Sequence, residues 1–225
     1  MLDDAHLALL PPRAVTDELR ALVEHDATIS QLAHAPPGAP DPAAIVTLEN
    51  EAGEITFQMV EVPVPGVSGR LLVGQLPGRA TALEGELDAL VAFGIRHVLC
   101  LIPRIDLAEP YRVPTYVEEG SARFGERFRL VDVVDYEVPP DDAAFEAALD
   151  AVEQALVAGE KVYVHCGAGC GRAGVFAACL LVQRGVEPLE AIRRFRAIRG
   201  CGPETPGQVA YVVRHARRHG EHGPA

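Results

Sequence analysis

A cysteine at the end of an apolar run, three closely spaced glycines and an arginine form the most reactive stretch of this chain, Val162-Tyr163-Val164-His165-Cys166-Gly167-Ala168-Gly169-Cys170-Gly171-Arg172-Ala173-Gly174. Gly167, Gly169 and Gly171 lack a Cβ, so the backbone there can curl tightly and turn its N–H groups inward. The apolar run from Val175 to Val182 then reads as a helix, whose N-terminus adds unpaired N–H donors and a positive dipole end. Together these make a seat for a tetrahedral dianion such as phosphate. The backbone from Gly167 through Ala168, Gly169, Cys170 and Gly171 forms the cradle, and Arg172 offers a planar fork to two phosphoryl oxygens. The same field favours the thiolate of Cys166, and His165 beside it orients the loop and supports that thiolate. The chemistry implied is phosphoryl transfer to a cysteine. A nucleotide-binding P-loop does not fit, because no Gly-Lys-Ser/Thr ending is present.

The spacing His165-Cys166-x-x-Gly169-x-x-Arg172 resembles the signature of the cysteine-dependent protein tyrosine and dual-specificity phosphatases. The leaving oxygen would otherwise depart as a high-energy alkoxide or phenoxide, so thiolate attack needs an acid. The resemblance places that acid on the loop after the preceding strand, about thirty residues before the cysteine, with proline four residues beyond it. Asp135 and Pro139 fit this spacing, with Asp132 as the runner-up. The implied reaction has two steps. Cys166 attacks phosphorus while Asp135 protonates the departing oxygen, and Asp135 then serves as base for the water that cleaves the cysteinyl-phosphate. Arg172 and the loop amides supply the positive charge, so neither a metal nor another cofactor is called for.

Weaker matches run in the same order through the chain: Leu76-Pro77-Gly78, Gly94-Ile95, Tyr111-Arg112-Val113-Pro114, Ala178-Cys179-Leu180-Leu181 and Arg199-Gly200-Cys201-Gly202. They are similar to the kinase-associated phosphatase (cyclin-dependent kinase inhibitor 3) family. They imply a compact dual-specificity fold, and they do not imply a cyclin-dependent kinase as substrate. One position departs from the pattern. The family usually carries Ser or Thr after the signature arginine, where this chain has Ala173, so breakdown of the phosphoenzyme is expected to be slow. Cys170, inside the loop, reads as a tolerated small residue or as a thiol that pairs with Cys166. Cys100, Cys179 and Cys201 read as buried or incidental.

The chain has 225 residues, a net charge of −12 and 48% hydrophobic residues. That is enough for one large domain, and the charge disfavours nucleic acid and anionic membrane as partners. No apolar run approaches a membrane span, and the acidic Met1-Leu2-Asp3-Asp4 start lacks a signal peptide's basic region, so a cytoplasmic protein is expected. Five cysteines without regular spacing argue against a disulfide framework. The charge is uneven: residues 187–218 carry seven arginines against three glutamates.

Residues 1–43 read as an N-terminal extension, with a short helix over Val15 to Val23 capped by Thr16 or Asp17, and a linker from Ala35 to Pro42. Residues 44–218 read as the phosphatase domain and 219–225 as a polar tail. Ile45–Leu48 and Ile55–Val62 read as a hairpin around Glu51-Ala52-Gly53-Glu54. Leu71–Val73, His97–Ile102 and Phe128–Val134 are further expected strands. His97 reads as a hydrogen-bonded strand residue. Thr81 and Glu84 have capping-box spacing before a helix that stops at Gly94. Pro114 is expected to open a helix towards Arg123. Asp141 and Asp142 cap an amphipathic helix carrying Phe145, Leu149, Val152 and Leu156. Pro188 and Pro206 each sit in a first helical turn. His215, His219 and His222 read as a solvated helix end. Strands alternating with helices predict an α/β fold: a mostly parallel sheet of about five strands with helices on both faces. Cys166 would then lie at the carboxyl end of a strand, where such folds place ligands.

The leading expectation is a phosphatase acting on phosphoproteins. A phosphatase for inositol phosphates or phosphoinositides would favour basic residues at 167, 168, 170 and 171, and all four are uncharged. A catalytically weak phospho-binding domain is the other alternative. Ala173 suits it, whereas Cys166, Arg172 and Asp135 oppose it.

Overall fold

The computed structural model describes residues 13–36, 38–49 and 55–220. Two helices open it, α1 (Arg13–His25) and α2 (Ala27–Ala33), followed by a short 3-10 turn at Pro42–Ala44. Then come β1 (Ile45–Glu49), β2 (Ile55–Val62), β3 (Arg70–Gly74), α3 (Leu83–Ala92), β4 (Ile95–Cys100), α4 (Arg104–Ala108), α5 (Tyr116–Phe124) and β5 (Phe128–Leu130). The chain closes with α6 (Asp142–Val157), β6 (Lys161–His165), α7 (Gly171–Gln183), α8 (Pro188–Arg199) and α9 (Pro206–Gly220).

The strands form one six-stranded sheet in the order β1-β2-β3-β6-β4-β5, one strand more than the count read from the sequence. β3, β6, β4 and β5 run parallel, and β1 and β2 add an antiparallel edge. β6 lies between β3 and β4, and His165 at its end pairs with Gly74 on one side and Cys100 on the other. Three parallel strands therefore finish together, and Cys166 is the first residue beyond that edge. Beneath it, Leu72, Val73, Leu99, Val162, Tyr163 and Val164 are all essentially fully buried. Burying each large apolar side chain contributes about 1.5–3 kcal/mol, which fixes the strand ends on which the site is built.

α1 and α2 pack on α9 and bury Leu19, Leu22, Ile29 and Ala33 in the common core. Arg196 donates to the Leu32 carbonyl (2.7 Å), and the Asp41 N–H donates to the Ile198 carbonyl (3.1 Å), so the arm is also tied to α8. α1 begins before Thr16 and Asp17, which lie within the helix instead of capping it. The expected hairpin is present as the β1–β2 pair, and its turn at Glu51-Ala52-Gly53-Glu54 lies outside the described residues.

Several local expectations are corrected. The Thr81–Glu84 capping box does not form, because Ala82 occupies the N-cap of α3. Glu86 folds back instead, accepting from the Gly78 N–H (2.6 Å) and the Thr81 hydroxyl (2.7 Å). β5 ends at Leu130 and not at Val134, because β4, its pairing partner, ends at Cys100 opposite Leu130. Asp141 caps α6 through the Ala144 N–H (3.1 Å). Asp142 faces α9, accepting from Tyr211 (2.7 Å), Arg214 (2.7 Å) and Arg218 (2.6 Å). His215 is buried and His219 is not; both bond to Glu146 on α6, at 2.9 and 3.1 Å, where the sequence suggested a solvated helix end. His222 lies outside the described residues.

Candidate active site

The loop from Cys166 to Gly171 is shaped from outside. Its carbonyl groups point away from its centre because other parts of the chain hold them. The Gly167 carbonyl accepts from Arg79 (2.9 Å) and from the Leu76 N–H (3.2 Å). Arg199 donates to the carbonyls of Ala168 (2.8 Å) and Gly169 (3.2 Å). With its oxygens taken on the outside, a tight loop turns its amides inward. Gly169 has φ of 76°, and a Cβ there would run into the backbone of Gly74, so this close approach requires glycine.

Cys166 is 3% exposed, at the floor of the loop. Arg172, in the first turn of α7, is 2% exposed. Its guanidinium donates to the Val133 carbonyl (3.0 Å) and the Tyr111 hydroxyl (2.8 Å), and pairs with Asp135 (2.9 Å). Burial disfavours its charge, but Cys166, Tyr111 and Asp135 around it outweigh that and hold its pKa above the ordinary value. Its Nε is buried and has no partner. A buried donor left unpaired costs about 1–3 kcal/mol, so this atom calls for an oxygen that the protein itself does not provide.

His165 is fully buried. Its Nδ1 lies 3.3 Å from the Cys166 carbonyl and its Nε2 lies 2.5 Å from the Tyr116 hydroxyl. A carbonyl only accepts, so Nδ1 carries the proton and Nε2 accepts from Tyr116. Burial, with Arg172 adding to it, pushes the His165 pKa down to about 3, so the ring is neutral. Burial likewise holds the Tyr116 phenol well above its ordinary value, which keeps its donor proton in place.

The two candidate acids are separated in space. Asp135 meets Arg172 and lies 3.5 Å from the Tyr111 hydroxyl. Asp132 accepts from the Arg104 N–H, and burial raises its pKa. It lies beyond the end of β5. Glu204, near Asp135, was not singled out from the sequence. Partial burial and the Asp135 charge push its carboxyl up, against a hydrogen bond from the Gly171 N–H.

Cys170 forms a disulfide with Cys201, which overturns the reading of Cys201 as incidental and of Cys170 as either an inert residue or a partner of Cys166. Cys166 is a free thiol. The bridge joins the phosphate loop to the segment between α8 and α9, where Gly202, with φ of 65°, lets the backbone pass close to Cys170. Tyr111, Arg79, Arg199 and Glu204 also went unread as site residues. Tyr111 and Arg199 lay within segments matched to the family, but their roles arise from tertiary contacts and not from local spacing.

Comparison with known proteins agrees with this geometry. Residues 68–221 match the family model described as Swiss Army Knife protein, DSP-PTPase phosphatase domain. Tyrosine-protein phosphatase 1 of Caenorhabditis elegans is 38% identical over 85 residues, which cover 35% of this chain and 8% of that protein. Cyclin-dependent kinase inhibitor 3 of Sus scrofa is 27% identical over 139 residues, 58% of this chain and 61% of that one. The chain thus spans less than two thirds of the length of either curated relative. Among solved structures, kinase-associated phosphatase with its catalytic cysteine replaced by serine superposes with a TM-score of 0.62 at 23% identity, covering 70% of this chain and 92% of that one. Tk-PTP in its active form gives 0.56 at 25% identity, with coverages of 70% and 97%. This chain belongs to the Swiss Army Knife family of dual-specificity-type protein tyrosine phosphatase domains.

Proposed function

We propose that this protein is a phosphoprotein phosphatase that hydrolyses phosphotyrosine, phosphoserine or phosphothreonine through a cysteinyl-phosphate on Cys166. The observation that carries this reading is the unpartnered Nε of Arg172, buried beside Cys166 under a loop whose Gly167, Ala168 and Gly169 carbonyls are held from outside. A phosphoryl group seated on the amides of Gly167 to Gly171 would give that Nε its oxygen. It would also compete with Asp135 for the guanidinium, releasing the carboxyl towards the leaving group.

In the first step the Cys166 sulfur bonds to phosphorus, the bond from phosphorus to the leaving oxygen breaks, and that oxygen takes the Asp135 proton. In the second, water attacks phosphorus, the phosphorus–sulfur bond breaks, and Asp135 takes the water's proton. Tyr111 and Arg172 hold Asp135 between turnovers. Arg79 and Arg199 are committed to loop carbonyls, so they offer little to a ring of further phosphates, which favours a phosphoprotein over a polyphosphorylated inositol. Among the described residues no helix is long and apolar enough to cross a membrane, which is compatible with a cytoplasmic protein.

The test is hydrolysis of an aryl phosphate and of phosphotyrosyl and phosphothreonyl peptides by wild type and Cys166→Ser, without added metal. Turnover that disappears in the variant supports the reading, and turnover that survives it overturns the cysteine mechanism.

A further inference from the structure

Tyr136 directly follows the proposed acid, Asp135. At 60% exposure it is the most exposed large hydrophobic side chain among the described residues. It is also held at φ of 64°, a left-handed conformation that is strained for a bulky residue. The surrounding backbone enforces this geometry. The Thr205 hydroxyl donates to the Tyr136 carbonyl (3.2 Å), Gln208 donates to the Glu137 carbonyl (3.1 Å), and the Glu137 N–H donates to the Val134 carbonyl (3.1 Å). Strain maintained by so many bonds, with the ring left in solvent, points to something the ring does outside the fold.

Tyr136 lines two depressions. One, of about 300 Å³, has mainly apolar walls that include Leu19, Val23, Val138 and Thr205. The other, of about 280 Å³, is more polar and includes Ala35, Arg196, Pro203 and Glu204. Each is lined both by the N-terminal arm and by the segment between α8 and α9. That segment is bonded to the phosphate loop through Cys170–Cys201 and through Glu204. Tyr136, the residue next to Asp135, is the one lining residue the two depressions share.

We propose that Tyr136 and the two depressions it lines bind the polypeptide that carries the phosphorylated residue, with an aliphatic side chain next to that residue seated in the groove of Leu19, Val23 and Val138. This inference rests on the phosphatase reading and names the recognition that goes with it. An extended occupant suits this surface, because two depressions share Tyr136, the residue next to the proposed acid. A polypeptide fits better than an anionic lipid, because Arg20 at the apolar groove is matched by Glu24 and Glu137. The N-terminal arm is then part of the substrate surface.

Two measurements separate this from the reading it rests on. The first is kcat/KM on an aryl phosphate, on phosphopeptides with leucine or aspartate flanking the phosphorylated residue, and on phosphoinositide micelles. It uses wild type, Tyr136→Gly, which retains the positive φ, and Val23→Glu. The second is fluorescence anisotropy of the same peptides on Cys166→Ser with and without those changes. Wild type should prefer leucine-flanked peptides at least tenfold. Each variant should lower the ratio of peptide to aryl phosphate turnover tenfold or more and weaken peptide binding to match. Peptide ratios and affinities unchanged in both variants, alongside normal aryl phosphate hydrolysis, would overturn the groove and leave the phosphatase standing. Selective loss of phosphoinositide turnover would overturn the polypeptide occupant. Absence of turnover on every substrate would remove the phosphatase reading and this inference with it.

Discussion

The proposed phosphate loop and the loop of the proposed acid, Asp135, meet at Arg172, yet they are built in opposite ways. The loop from Cys166 to Gly171 is largely buried, anchored to the ends of three strands, held by Arg79 and Arg199 from outside and bridged covalently to the segment after α8. The acid loop carries Asp135 and Tyr136 in the open and is held by a few hydrogen bonds from Thr205, Gln208 and Tyr111. A fixed seat for a developing charge has to be preorganised before the reaction. An acid that must release an arginine, meet a leaving group and then meet water is better placed where solvent and substrate reach it, and Asp135 is about half exposed, at 48%. The contrast separates what every phosphorylated substrate shares from what distinguishes one substrate from another.

The largest expected effect breaks the fixed half. Arg172→Lys keeps the charge but loses the planar fork, and kcat/KM on aryl phosphate should fall on the order of 10³-fold, close to the scale at which arginine stabilises phosphoryl transfer. Asp135→Asn breaks the exposed half. It should lower kcat about 10²–10⁴-fold on substrates with poor leaving groups and much less on activated aryl phosphates, because only the former need a proton. The same substitution at Asp132 should leave that contrast between substrates intact.

Arg199→Ala sharpens the comparison without touching the chemistry. Freed carbonyls of Ala168 and Gly169 would let the loop relax, with roughly a tenfold loss in kcat/KM and a matching loss of vanadate affinity in titration. A smaller effect concerns stability. An unfolded chain protonates His165 near the ordinary histidine value of about 6.5, whereas the folded protein holds that pKa down to about 3. Between those limits the unfolded state carries the extra proton, so stability falls as pH drops below about 6.5 and levels off near 3. This residue contributes at most ~1.4 kcal/mol per pH unit to that slope. Urea denaturation at pH 7 and pH 5 should show a shallower pH dependence in His165→Asn than in wild type.

What the sequence revealed follows the same division. The strand–loop–helix around Cys166, the proline-started helices α8 and α9, and the α/β alternation are local patterns, legible because periodicity and turn chemistry set them. The parts that went unread are held by distant partners. Arg79, Arg199, Tyr111 and Cys201 reach the site from elements away from the loop in sequence; Tyr111, Arg199 and Cys201 lay in segments matched to the family, but local spacing does not encode the contacts they make. Glu86 displaced Glu84 because burial beside the Gly78 turn needed an acceptor, a demand set by tertiary packing and not by helix-start spacing. Ala173, fully buried in the first turn of α7, remains the departure with the clearest kinetic consequence. Without a hydroxyl there, the phosphoenzyme should persist.

That persistence gives the most direct test. Wild type mixed with aryl phosphate and acid-quenched on the millisecond scale, then analysed by intact mass and peptide mapping, should show a burst of leaving group and one phosphoryl group on Cys166, accumulating to a substantial fraction of the enzyme. Turnover without phosphate on Cys166, or a phosphoryl group found elsewhere, would contradict the account.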